Sequence, residues 1–169
     1  MLEFHRSSIF LYNVYMPKEK TLQELQKLVS RYAASILYIP IGTEVDYNDS
    51  LFPLRLPTNN LFIPKEKNSN PFEWAADCAV RFKDSEVCIL VPGTRFDAYG
   101  TRYGRGGGWY DRFLSRTPRA WLRIGVIEKT KMSPSKIFRQ QWDEPVDWVM
   151  VHDDFSWSAY ETKTRLCSQ

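Results

Sequence analysis

Six of the chain's eight glycines fall between residues 93 and 108, inside the segment PGTRFDAYGTRYGRGGGWYDRF that runs from Pro92 to Phe113. The segment follows an apolar run, EVCILV at 86–91, that reads as a buried strand stopped by Pro92. It precedes a stretch predicted helical from about Gly107 to Ser115. A strand, a glycine loop and a helix in succession form the repeating unit of an open α/β sheet, whose ligands sit outside the carboxyl ends of its strands. Glycine at this density permits positive φ and lets a ligand approach the backbone. The amides opening the helix favour an anion, Arg102 and Arg105 supply cations that pair with phosphate oxygens, and Asp111 is placed to hold a magnesium ion bridging them. A turn that merely lets the helix pack on the strand is the competing reading. GxxxxGK[ST] is absent, and Gly104, Gly106 and Gly108 give GxGxG rather than a dinucleotide fingerprint.

The rest of the chain fits the same plan. The apolar stretch up to Pro17 is a candidate strand. Thr21 with Glu24 makes a capping box, and apolar residues at helical spacing predict a helix from Thr21 to Ala34. SILYIP (35–40) reads as a buried strand with Glu44 in the loop after it, then a short helix from Asp49 to Leu54 and a strand at Leu61–Ile63. Residues 65–71 read as a surface loop, Val80–Lys83 as a third short strand, AWLRIGVI (120–127) as another, and VDWVMV (146–151) as the last. Strands alternating with helical segments predict an α/β domain with a mostly parallel sheet.

Aromatic residues make up 15% of the chain, which excludes disorder over most of its length. The net charge of +3 is too small to argue for nucleic acid. Three cysteines without paired spacing are neither a disulfide framework nor a zinc site, and free thiols fit a reducing compartment, so a cytoplasmic protein is expected. No apolar run approaches the ~20 residues that span a bilayer.

The glycine segment resembles a known signature. Val91-Pro-Gly, Phe96-Asp97, Gly100, Arg102, Gly104 and then RGGGWYDRFL (105–114) are similar to the motif of the 5-formyltetrahydrofolate cyclo-ligase (methenyltetrahydrofolate synthetase) family. ILYIPIGTEV (36–45), the strand at 124–127 and DEPVD (143–147) resemble flanking parts of that family, so the resemblance covers about 36–151. It implies a single domain over 1–169. The implied fold is a three-layer α/β/α sandwich with a mostly parallel sheet, similar to the NagB/RpiA/CoA-transferase-like fold.

The implied activity is ATP- and Mg²⁺-dependent closure of 5-formyltetrahydrofolate to 5,10-methenyltetrahydrofolate. The formyl oxygen attacks the γ-phosphate, N10 closes the ring, and phosphate leaves. By resemblance, Arg102, Tyr103, Gly104, Arg105, Gly106, Gly107, Gly108, Trp109 and Tyr110 surround the ATP phosphates and the reacting formyl group. Arg105 and Tyr110 are the catalytic candidates, and Asp111 and Asp143 the magnesium ligands. Ile39 and Glu44 join 105–109 against folate, with Tyr110 lining the folate pocket. The implied partners are thus folate and ATP; the oligomeric state is not set by the sequence, with a monomer the favoured expectation. The family's opening basic helix has no counterpart before Thr21, and Trp142 stands where the family usually has histidine. Two other readings stay open: a relative that binds folate or nucleotide without turnover, and a nucleic-acid-associated module on the same fold.

Overall fold

The computed structural model describes residues 19–48, 51–63 and 70–166. In chain order the elements are β1 (Glu19–Lys20), α1 (Leu22–Val29), β2 (Ala34–Tyr38), β3 (Asn60–Ile63), α2 (Pro71–Arg81), β4 (Val87–Pro92), β5 (Arg95–Phe96), β6 (Arg102–Tyr103), α3 (Trp109–Leu114), β7 (Leu122–Glu128), β8 (Trp148–Asp153), β9 (Ser156–Glu161) and α4 (Lys163–Leu166). Seven strands form one sheet in the order β1-β9-β8-β7-β4-β2-β3, and β5 with β6 makes a separate hairpin. The pairings from β3 through β2, β4 and β7 to β8 are all parallel, and only those of β9 with β8 and β1 are antiparallel. This is the expected α/β fold.

Handedness places the helices. The connections from β3 through α2 to β4, and from β4 through α3 to β7, advance across the sheet in one direction. The connection from β1 through α1 to β2 runs the other way. Right-handed crossovers therefore put α2 and α3 on one face and α1 on the other. In agreement, α2 packs on α3 and α1 lies near β9. The central strands are apolar because both faces are covered: β2 and β4 are buried at every position, and β7 at all but its last.

Chain direction also marks the binding crevice. From β2 the chain leaves toward β3 at the sheet edge, and from β4 it leaves the other way toward β7. The point between β2 and β4 is thus a topological switch, where α/β sheets hold ligands at their carboxyl ends. Ile41 and Glu44 follow β2 there, and the glycine-rich segment follows β4.

Several local expectations change. The Thr21–Glu24 capping box is present, but α1 ends at Val29 rather than Ala34. Val80–Lys83 is not a strand. Val80 lies on the exposed side of α2, whose buried residues Pro71, Ala75 and Cys78 share the opposite face. Asn70 caps α2 through Phe72 N–H, and Pro71 takes the first-turn position that proline prefers. Residues 51–57 contain no helix, and Pro53 and Pro57 interrupt them. The segment 146–151 is not the last strand, because β9 follows β8 and β1 pairs with β9. Residues 1–18 lie outside the described residues, as do 49–50 and 64–69, so the candidate strand before Pro17, the stretch compared with the family's basic helix and most of the 65–71 loop do too. No helix among the described residues is long and apolar enough to cross a membrane.

Cys78 and Cys88 are unpaired thiols in the core. Burial pushes Cys78 up to about 11 and Cys88 up to about 12, from an ordinary 9.0. Both folded values lie above the unfolded one. The stability tied to the neutral thiols is therefore complete below pH 9.0 and is lost as pH rises toward 11 and 12. Iodoacetamide at pH 8 is expected to leave both residues unmodified in the folded protein and to modify them in urea, as read by peptide mass spectrometry. Modification of either one in the folded state contradicts the burial.

Candidate active site

Two loops meet at the switch point. After β2 the chain folds back on its own strand end: the Tyr38 hydroxyl donates to the Val45 carbonyl at 2.6 Å, and the Tyr47 hydroxyl donates to the Tyr38 carbonyl. Glu44 closes this loop by accepting the Ile41 N–H at 3.0 Å. Its other oxygen stands 3.4 Å from Arg105 Nε, and Arg105 also donates to the Ile41 carbonyl. From the far side, Lys131 Nζ donates to the Thr43 carbonyl at 2.6 Å. The carboxylate after β2 and the glycine-rich segment after β4 are thus tied through one guanidinium.

The glycine-rich segment starts as the β5–β6 hairpin, closed by the Thr94 N–H donating to the Tyr103 carbonyl at 2.8 Å. Asp97 is buried beneath it and accepts N–H bonds from Tyr99, Thr101 and Ile137. It therefore anchors the 137–144 segment to the hairpin. Further on, Gly106 sits at φ +85°, a conformation that excludes most side chains. Gly107 has no such φ, and a Cβ built there meets nothing within 4 Å. The fold gives no reason for glycine at 107, whereas a ligand lying against the backbone does. Arg112 holds this stretch by donating to the Gly107 carbonyl at 2.8 Å. The helix behind the loop is six residues long, not nine, so the dipole expected from the sequence counts for little beside the loop amides and Arg105.

Helix α3 carries the aromatic and acidic members. Trp109 stacks on Phe113 at 5.2 Å and meets Tyr110 edge-on at 5.3 Å. Burial, and then the charge of Glu44, push the Tyr110 hydroxyl well above the usual tyrosine range, with Arg102 pulling the other way. Tyr110 is therefore a neutral phenol near pH 7 and serves as a wall or a donor, not a base. Asp111 accepts from the buried Arg102 guanidinium at 2.8 Å and from the Glu144 N–H at 3.4 Å. Arg102 lies 5.4 Å from the Tyr110 ring. Its Nη2 is bonded to Asp111, while its Nε, also buried, has no hydrogen-bond partner among the described residues. Asp143 turns back to accept the Gln140 N–H at 2.8 Å.

These groups surround one cleft of about 930 Å³, at the upper end of the size usual for small-molecule sites. All sequence-predicted residues from Arg102 to Asp111 line it, and so does Asp143. Ile39 and Glu44 do not. Ile41 takes the lining position, and Glu44 reaches the cleft through Arg105. Phe72, Phe138, Trp142 and Glu144 line the cleft although the sequence reading gave them no role there. The cue was the aromatic clustering in PFEW and KIFRQQW, which reads equally well as core.

The donor set suits magnesium. Asp111 and Asp143 offer hard oxygen ligands to one cleft. Among the described residues no group of three or more His, Cys, Asp or Glu could hold a metal. Magnesium is usually held by one or two carboxylates completed by substrate phosphates, so two aspartates beside a bare glycine backbone fit it.

A family model described as 5-formyltetrahydrofolate cyclo-ligase matches residues 8–152. The chain belongs to the 5-formyltetrahydrofolate cyclo-ligase family. It is 25% identical over 118 residues to a 5-formyltetrahydrofolate cyclo-ligase of Mycoplasma genitalium, covering 69% of this chain and 70% of that one. To its namesake in Mycoplasma pneumoniae it is 26% identical over 120 residues, covering 70% and 71%. A solved 5,10-methenyltetrahydrofolate synthetase from Mycoplasma pneumoniae aligns at a TM-score of 0.49 with 21% identity, covering 76% of this chain and 79% of that one. The family match extends N-terminal of Ile36, where the sequence resemblance begins. This cyclo-ligase family is one of ligases in folate metabolism.

Proposed function

We propose that this protein is a single-domain 5-formyltetrahydrofolate cyclo-ligase that uses ATP and Mg²⁺ to form 5,10-methenyltetrahydrofolate. The observation that carries the reading is the Glu44–Arg105 contact at the switch point. It supports the reading by joining the carboxylate assigned to folate, through Arg105, to the loop assigned to phosphate. Transfer of a phosphoryl group needs positioning and charge neutralisation more than a nucleophilic side chain. The site offers backbone amides, a half-exposed arginine and two aspartates.

In this reading the loop at 104–108 receives the phosphates along its backbone, and Arg105 faces the charge that develops as the formyl oxygen attacks. Glu44 accepts from the pterin. Tyr110 closes the wall of the folate pocket as a neutral phenol. Asp111 and Asp143 hold Mg²⁺, which when bound neutralises phosphate charge. Arg102 fixes the rotamer of Asp111.

Purified protein with 5-formyltetrahydrofolate, ATP and Mg²⁺ is expected to generate the methenyl absorbance, and omitting either ATP or Mg²⁺ is expected to abolish it. A flat trace from folded protein overturns turnover and leaves the reading of folate or nucleotide binding without reaction.

A further inference from the structure

Arg123 is a cation near the start of β7, between Leu122 and Ile124, with a side chain only 1% exposed. Burying an unneeded guanidinium there is costly, and apolar residues of similar volume often replace buried ion pairs without loss. Where its bonds go is informative. Nη2 donates to the Leu114 carbonyl, the last residue of α3, at 2.7 Å. Nη1 donates to the Glu144 carboxylate at 2.6 Å. Its backbone N–H donates to Asp147 at 2.9 Å, and Arg119 holds Asp147 from outside at 2.9 Å. The Glu144 N–H in turn reaches Asp111. One side chain therefore joins the helix that carries Asp111 to the segment that carries Asp143.

We propose that Arg123 is a positioning residue that braces α3 against the 143–147 segment and so holds Asp111 and Asp143 toward a divalent cation in one cleft. The proposal rests on the reading of Asp111 and Asp143 as a magnesium site. Residues that hold metal ligands in place typically change metal affinity by about 10–100-fold when they are removed. A residue that only fills the core changes stability instead, and the two effects separate in the following experiment.

Mn²⁺ binding to the full chain in the presence of ATP, without folate, is read by water-proton relaxation enhancement over a protein-free Mn-ATP blank, and melting is followed in parallel. The wild-type protein binds Mn²⁺. Arg123→Met binds it at least about tenfold more weakly. Arg123→Met with Glu144→Leu removes the stranded carboxylate and restores apolar packing, so its melting temperature recovers while its Mn²⁺ affinity stays low. Arg123→Lys restores part of the affinity. Glu144→Gln, which keeps an acceptor for Arg123, loses less affinity than the double variant. Wild-type Mn²⁺ affinity in the double variant makes Arg123 a core residue only and overturns the proposal. Loss in Glu144→Gln as large as in the double variant makes Glu144 a ligand and overturns it too. A wild-type protein that binds no Mn²⁺ removes the magnesium reading itself, and the brace with it.

Discussion

Asp111→Asn is expected to stay folded and to lose the ATP-dependent reaction, whereas Asp111→Ala loses stability as well. The difference lies in Arg102. Its side chain is 4% exposed, and its closest charge partner is Asp111 at 2.8 Å. Alanine strands a buried guanidinium, and breaking a buried pair from one side costs about 3–5 kcal/mol. Asparagine keeps one oxygen acceptor, which can face Arg102, loses only the long 3.4 Å bond from the Glu144 N–H, and gives up the charge a divalent cation needs. With Mg-ATP at 100 times its Kd, the wild-type protein gains about 2.7 kcal/mol. For a chain of this length that is a rise of roughly 5–10 °C in melting temperature. The Asp111→Asn protein is expected to melt within a few degrees of wild type without ligand and to show no such rise. A full Mg-ATP shift in Asp111→Asn excludes Asp111 from the metal site. A fully stable alanine variant removes the argument from Arg102.

The same pairing explains what could be read in advance. The residues from Arg102 to Asp111 stand out in the sequence because glycine, arginine and aspartate crowd a short stretch between a strand and a helix, and each type has few bland uses there. The sheet is legible for a similar reason: β2, β4 and β7 are buried on both faces and so must be continuous apolar runs. Two elements were hidden by the same physics. In β9 only Ala159 is fully buried, so a mostly polar strand looks like a tail. Helix α2 carries an exposed Val80 near its end, and a short apolar run there imitates a strand although Ala75, Cys78 and Phe82 keep helical spacing. Long-range pairing was least visible. Nothing local in AWLRIGVI says that Arg123 reaches Glu144, 21 residues on. Nor does the loop sequence say that Arg102 pairs with Asp111. A charged residue inside an apolar strand is a cue that a partner exists, without naming it.

Gly107 and Gly100 are expected to respond in opposite ways. Gly100 sits at φ +78°, and a Cβ there falls 2.3 Å from the Val146 carbonyl oxygen. That carbonyl also accepts from the Thr162 hydroxyl at 2.8 Å, while Val146 N–H donates to the Gly100 carbonyl at 3.0 Å. The neighbour is backbone pinned on two sides and cannot give way. Gly100→Ala therefore combines left-handed strain with overpacking, about 2–5 kcal/mol together. At Gly107 the backbone is ordinary and the space beside it is empty. Gly107→Val should change stability by no more than about 0.5 kcal/mol, as at other exposed positions. What it fills is the place where phosphates would lie on the loop amides, so Mg-ATP stabilisation should vanish. Urea unfolding with and without Mg-ATP reads both effects in one experiment. A Gly107→Val protein with normal stability and unchanged Mg-ATP stabilisation removes the loop from the nucleotide site. One that unfolds as readily as Gly100→Ala shows that the glycine at 107 serves the fold after all.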